Sequence, residues 1–159
     1  MYKPDKTDMR ILAALQDNAN LKIKELAAVV GLSVTPVFER LKRMEREGLI
    51  KKYTVILDAD KLNIGFVVFC TVKMQVVNEE INAEFVNAVK TIPEVTECYN
   101  ISGQSDYLLK IHASNMETYR NIYLHTLGKL KNVASIQSYF VLDEGKHEYG
   151  LPVNRIQID

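Results

Sequence analysis

Cysteine, long apolar runs and net charge are all scarce in this sequence. Only Cys70 and Cys98 occur, too few for a disulfide framework, and both lie in apolar, strand-like surroundings. They read as small buried thiols in a reducing compartment rather than as a bridge or a metal site. No stretch approaches the roughly eighteen uncharged apolar residues that a membrane span needs. The opening MYKPDKTDMR lacks the apolar core of an export signal, so a cytoplasmic protein is the expectation. Formal charge sums to zero, with 20 Lys and Arg against 20 Asp and Glu.

That zero hides a split. Residues 1–53 carry eleven basic against seven acidic side chains, a net of +4; residues 54–159 carry nine against thirteen, a net of −4. Charge asymmetry of this kind points to nucleic-acid contact by the basic part. With 159 residues, 47% hydrophobic and 25% charged, the chain suits one ordinary domain or two small ones.

Three helical patterns fill the basic part. In DKTDMRILAALQDN, Asp5 can cap, Asp8 suits the positive end of the helix dipole, and Ile11, Leu12 and Leu15 form an inward stripe. IKELAAVVG places Ile23, Leu26, Ala27 and Val30 on one face and stops at Gly31. The third pattern starts near SVTP, with Ser33 as cap or Thr35 followed by Pro36 at the first helical position. The short GLS connection is a helix-turn-helix feature. At 100° per residue, Val34, Val37, Phe38, Leu41, Met44 and Gly48 fall on one side of the third helix. Thr35, Pro36, Glu39, Arg40, Arg43 and Arg46 fall on or near the other. Arginine grips guanine edges or phosphates, and short residues at the helix start permit close approach to a groove. The plainer alternative is a solvated face with pairs such as Glu39–Arg43. The turn, the charge split and the basic run IKKYTVIL together favour double-stranded DNA. That run is expected to form a short wing or linker strand touching phosphate.

The acidic part repeats itself. A shift of 37 residues lays TVKM (71–74) on LLKI (108–111), Asn78 on Asn115 and NEEI on NMET; one further residue lays TIPEV on KLKNV. Each copy reads as strand, Asn-capped helix, strand, with core stripes Ile81, Phe85, Ala88, Val89, Ile92 and Met116, Tyr119, Tyr123, Leu127, Leu130. Two copies give βαββαβ, the ferredoxin-like arrangement. Tyr107, Leu109, Ile111 and Ala113 face the helices, with Leu108, Lys110 and His112 opposite. GFVVFCTVKM is apolar on both faces, which a sheet with helices on one side does not need unless a second subunit covers the other. A homodimer is expected, and it suits a palindromic DNA site. In ISGQSDYLL, Gly103 and Asp106 are explained by a tight hairpin.

D-x-x-D-x-x-IL-x-x-L at 5–15, GLSVTPVFERLKRMEREGLI and SGQSDYLLK together resemble the Lrp/AsnC (leucine-responsive/asparagine regulator) family over nearly the whole chain. The resemblance implies an α+β transcription regulator: a winged-type helix-turn-helix domain at 1–53, a linker strand or hinge at 54–64, and a ferredoxin-like domain at 65–159 that dimerises, commonly forms octamers and binds amino acids between dimers. It places DNA contact on Ser33, Thr35, Pro36, Arg40 and Arg43, with support from Lys42 and Arg46. It places an amino-acid effector on Gly103, Gln104, Ser105, Asp106 and Tyr107, with neighbouring-subunit walls including Met116, Tyr139 and Val141. Gln104 stands where the family loop commonly has Asp, and Asn20 where relatives often have Arg. Siroheme decarboxylases are similar to this family, but they need a tetrapyrrole cavity lined by His and Arg. Here His112, His125 and His147 are scattered, only Arg120 and Arg155 follow the linker, and no nucleophile–base pair or phosphate loop is evident. The expectation is a regulator without catalytic residues, metal or cofactor.

Overall fold

The computed structural model describes residues 2–153 and 156, so Arg155 lies outside them. The chain divides into two units. One comprises residues up to Ile56 together with the stretch from Lys146; the other is Leu57–Gly145.

The first unit holds α1 (Lys6–Asp17), α2 (Ile23–Val30) and α3 (Val34–Arg46). Asp5 and Asp8 form a reciprocal capping box at α1: each carboxylate accepts the other's backbone N–H at 2.9 Å. Gly31, at φ 70°, ends α2 in the left-handed conformation, and the Leu32 N–H reaches back to the Ala27 carbonyl at 3.0 Å. Ser33 occupies the N-cap position of α3 without a side-chain bond to the helix, and Pro36 sits in its first turn, where no backbone N–H is needed. Gly48, at φ 72°, closes that helix in the same way as Gly31, with the Leu49 N–H on the Met44 carbonyl. The core consists of Ile11, Leu26, Ala27, Val30, Val37 and Met44. Gln16 on α1 holds the tail through two bonds, accepting the Leu151 N–H at 2.7 Å and donating to the Leu151 carbonyl at 2.9 Å.

The run IKKYTVIL departs from expectation. Residues 51–58 form no strand, and Val55, Ile56 and Leu57 lie exposed in succession. A strand needs a neighbour to satisfy its backbone, and a single chain offers none here. Ile50 is held by its N–H on the Met44 carbonyl, and Tyr53 donates to the Glu45 carboxylate at 3.0 Å; burial, then Glu45, push the Tyr53 hydroxyl up to about 12.

The second unit is the expected βαββαβ: β1 (Phe66–Met74), α4 (Glu79–Lys90), β2 (Val95–Asn100), β3 (Tyr107–Ala113), α5 (Met116–His125), a 3-10 turn (Leu127–Lys129) and β4 (Val133–Phe140). The antiparallel sheet has order β2-β3-β1-β4. Both helices start at an asparagine whose side chain accepts a backbone N–H three residues on: Asn78 from Ile81 at 2.8 Å, Asn115 from Thr118 at 2.9 Å. The two halves of the repeat are built alike. Val68, Cys70, Val72, Tyr107, Leu109 and Ile111 pack with Phe85, Val89, Tyr119 and Ile122. The Cys70 thiol lies 3.1 Å from the Tyr119 hydroxyl, and burial pushes it up, away from reactivity. One core expectation fails. Met116 is 51% exposed, because it is the first residue of α5 and projects from the helix end, and Ile122 takes the buried place instead.

Candidate nucleic-acid interface and effector loop

Asp8 organises the first unit. Its side chain is 1% exposed, yet it is surrounded by donors. The Tyr2 hydroxyl donates to Oδ2 at 2.5 Å, the Asp5 N–H to the same oxygen, and Arg40 Nη1 to Oδ1 at 2.8 Å. Arg40 also pairs with Asp5. These two carboxylates hold Arg40 above its ordinary value. Burial opposes the ionised form of Asp5, but the Asp8 N–H and Arg40 bring its carboxyl below the usual carboxylate value. Arg43 lies over the Tyr2 ring, its guanidinium carbon 4.7 Å from the centroid, and donates to the Tyr2 hydroxyl at 3.1 Å. Burial, then Asp8, raise the Tyr2 hydroxyl.

This cluster sets the rotation of α3 and corrects the expected one. Arg40 and Arg43, placed outward by the 100° wheel, turn toward α1 and Tyr2. Phe38, placed inward, is 49% exposed. Val37 and Met44 take the buried positions, and the carboxylates of Asp8 and of the cap residue Asp5 hold the guanidinium of Arg40 on the α1 side. The outer surface of α3 therefore carries Val34, Thr35, Phe38, Glu39, Lys42 and Arg46, with Ser33 exposed at its start and Pro36 half-buried beside it. The Lys42 ammonium pairs with Glu45 at 2.8 Å and lies 5.9 Å from the Phe38 ring centroid. The capping pattern D-x-x-D could have shown that Asp8 turns back into the structure; nothing in the spacing links it to Arg40.

In the second unit Gly103 adopts φ 129°, a conformation that favours glycine, and Ser102, Gly103 and Gln104 are exposed. Asp106 is engaged: Oδ2 accepts the Met74 N–H at 2.8 Å and Oδ1 the Lys73 ammonium at 3.1 Å. The N–H, then Lys73, hold its carboxyl below the usual value. Its N–H donates to Val72, so the loop is fastened to the end of β1. Tyr107 follows as a buried strand residue. The remaining expected residues lie elsewhere. Met116 follows the other end of β3, where Ala113 pairs with Phe66. Tyr139 pairs with Phe69, and the Val141 N–H bonds to Val67. At about 3.3 Å per residue, the six steps from Tyr107 to Ala113 span about 20 Å. One chain gathers Gly103 to Tyr107 with Lys73 and Met74, but not with Met116 or Val141.

The sheet face away from the helices carries Val67, Phe69, Thr71, Leu108, Lys110, His112, Tyr99 and Tyr139 by register. Lys110 is buried on it and pairs with Glu97 at 3.4 Å. The three histidines stand apart: His112 Nδ1 faces the Ile64 carbonyl, His125 ends α5, and His147 stacks against Tyr149. Among the described residues no His, Cys, Asp and Glu group of three or more converges as metal ligands do, and no helix is long and apolar enough to cross a membrane.

A helix-turn-helix unit with an exposed, polar third helix, followed by a ferredoxin-like unit, has the architecture of a two-module DNA-binding protein. Comparison with known proteins specifies it. Residues 4–51 match the family model described as winged helix-turn-helix DNA-binding, and residues 67–151 match the Lrp/AsnC ligand binding domain. A proline dehydrogenase transcriptional activator of Rhodobacter capsulatus is 40% identical over 139 residues, 87% of this chain and 90% of the relative. The leucine-responsive regulatory protein of Escherichia coli (strain K12) is 35% identical over 149 residues, 94% and 91% of the two chains. A transcriptional regulator from Neisseria meningitidis, solved as an L-Met complex, superposes with a TM-score of 0.90 at 36% identity over 96% of this chain and 98% of that one. The chain belongs to the Lrp/AsnC family of DNA-binding transcriptional regulators.

Proposed function

We propose that this regulator reads double-stranded DNA with the outer surface of α3 and responds to an amino acid bound at the Gly103–Tyr107 loop, controlling amino-acid-related metabolism. Ser33, Thr35, Pro36, Glu39, Lys42 and Arg46 meet the duplex; Arg40 and Arg43 act from behind, holding the helix. The observation that carries the loop reading is the pair of features at its ends. Ser102, Gly103 and Gln104 are exposed, which leaves room for a ligand carboxylate to meet their backbone, and Asp106 lies beside them. Because Asp106 already holds Lys73 and the Met74 N–H, its role is to shape the loop as well as to face an α-ammonium. Gln104 removes one family carboxylate, which favours an apolar or small polar amino acid. The L-Met complex of the Neisseria relative supports that class.

The separation of Met116 and Val141 from the loop supports a site shared between copies, with the open sheet face of Val67, Phe69 and Leu108 covered by a second subunit and dimers assembling toward an octamer. The protein works in the cytoplasm as a regulator and not as an enzyme. A thermal-shift screen of the full chain against the common amino acids tests the effector. At a hundred times its Kd, a ligand adds about 2.7 kcal/mol of apparent stability. At least one apolar amino acid should raise Tm and shift the sedimentation profile. No shift with any of them would return the loop to a plain hairpin.

A further inference from the structure

We infer that Phe38 is a base-reading residue of this regulator and that it reads the 5-methyl group of thymine. The inference rests on the outer face of α3 being the face that meets DNA. Phe38 is the largest apolar side chain of α3, and the core does not take it: Val37 and Met44 fill the inward positions and are fully buried. It stands at the middle of an outward line, Val34, Phe38, Lys42, spaced one helical turn apart, with Thr35 beside it. The arginines that would recognise guanine are committed elsewhere, Arg40 to Asp5 and Asp8 and Arg43 to the Tyr2 ring. What the first three turns of α3 offer to a major groove is therefore an apolar centre flanked by a hydroxyl, a carboxylate and an ammonium, with the exposed guanidinium of Arg46 at the far end of the helix.

Of the groups displayed in the major groove, only the thymine 5-methyl is apolar; the rest are hydrogen-bond donors and acceptors. A half-exposed phenyl ring facing donors and acceptors would strip them of water and give nothing back, whereas against a methyl it gains contact area. Lys42, whose ammonium lies 5.9 Å from the ring, fixes the side of the ring from which the phosphate backbone is met. The site thus takes a thymine-containing step at the centre of each half-site, and position 38 carries the preference.

Deoxyuridine isolates the methyl group, since it differs from thymidine in that group alone. The preferred duplex of the full chain is selected from a random pool, each thymine is replaced singly by deoxyuridine, and affinities are measured at fixed salt. With wild type, one or two positions per half-site should lose about fourfold, the worth of one buried methyl. Phe38→Ala, a change on an exposed surface, should weaken binding and abolish the loss at those positions alone, while Phe38→Leu should keep part of it. Wild type indifferent to uracil everywhere, or Phe38→Ala showing the unchanged uracil pattern, would overturn the inference. Lys42→Ala in the same titrations separates the two levels. If it weakens all duplexes while Phe38→Ala leaves the uracil pattern intact, only the thymine reading fails; if neither variant changes binding, the reading face fails with it.

Discussion

Among the described residues, one cluster of six buried apolar side chains joins the three helices of the first unit, whereas one of fourteen joins two helices to the four-stranded sheet of the second. The second unit keeps Asn78, Asn115 and Asp106 at the edges of its core, where they cap helices and fasten a loop, and buries Lys110 on the outer sheet face beside Glu97. The first does otherwise. It sinks a carboxylate into the packing and closes it with two arginines and a tyrosine. A small core fixes helix contact but leaves helix rotation loosely determined, and charge-assisted hydrogen bonds supply the missing angular constraint. In the first unit Arg40 and Arg43 are thus engaged by Asp5, Asp8 and Tyr2, while Lys42 and Arg46 stay exposed on α3.

Removing the buried acid should break this contrast most severely. Asp8→Ala leaves Arg40 with only its exposed partner and Tyr2 with none of its carboxylate. Breaking a buried ion pair costs about 3–5 kcal/mol, enough to unfold a unit of this size. Far-UV circular dichroism should show loss of the first unit's helices, and DNA binding should vanish, while the second unit keeps its own transition. Replacing either asparagine cap, Asn78→Ala or Asn115→Ala, should cost about 1 kcal/mol in the second unit. The two costs, read from chemical denaturation, should match, because the copies are capped alike. The smallest effect belongs to Asp5→Asn, which keeps a capping oxygen but discards the charge facing Arg40. The folded carboxyl titrates below the unfolded value of about 3.9, so its stabilisation is full above that pH and is lost as pH falls through the folded value. Half-exposed, the pair contributes about 0.5 kcal/mol or less at neutral pH. Melting temperatures of wild type and variant should differ slightly at pH 7 and begin to converge as the pH falls below about 4.

Much of the second unit was legible because repetition, alternation and Asn caps are local signals. Asn78 and Asn115 mark the two helix starts, and the strand pattern of β3 separates Tyr107, Leu109 and Ile111 from Leu108 and His112. The glycine stop of α2 was equally plain. What escaped was set over long range. The rotation of α3 depends on Arg40 finding Asp8, 32 residues away, so the wheel turned Phe38 inward and the arginines outward. Alternation in IKKYTVIL suggested a strand, but a strand also requires a partner, which no pattern within one run supplies. Met116 fitted a core stripe by spacing and was exposed because the helix begins there. At the loop, Gly103 and Asp106 were readable as a turn, while the grip of Asp106 on Lys73 and Met74 emerged only once β1 and β3 were paired.

Arg40 is proposed to position α3 and Lys42 to touch the duplex, and the salt dependence of DNA affinity separates these roles. Each phosphate neutralised adds about 0.9 to the magnitude of the slope of log K against log salt. For Arg40→Ala, measured on the full chain well below its melting transition, affinity should fall with the slope unchanged; for Lys42→Ala the slope should shrink by about 0.9. A slope reduced by Arg40→Ala and untouched by Lys42→Ala would contradict the account, placing the arginine on DNA and the outer face of α3 away from it.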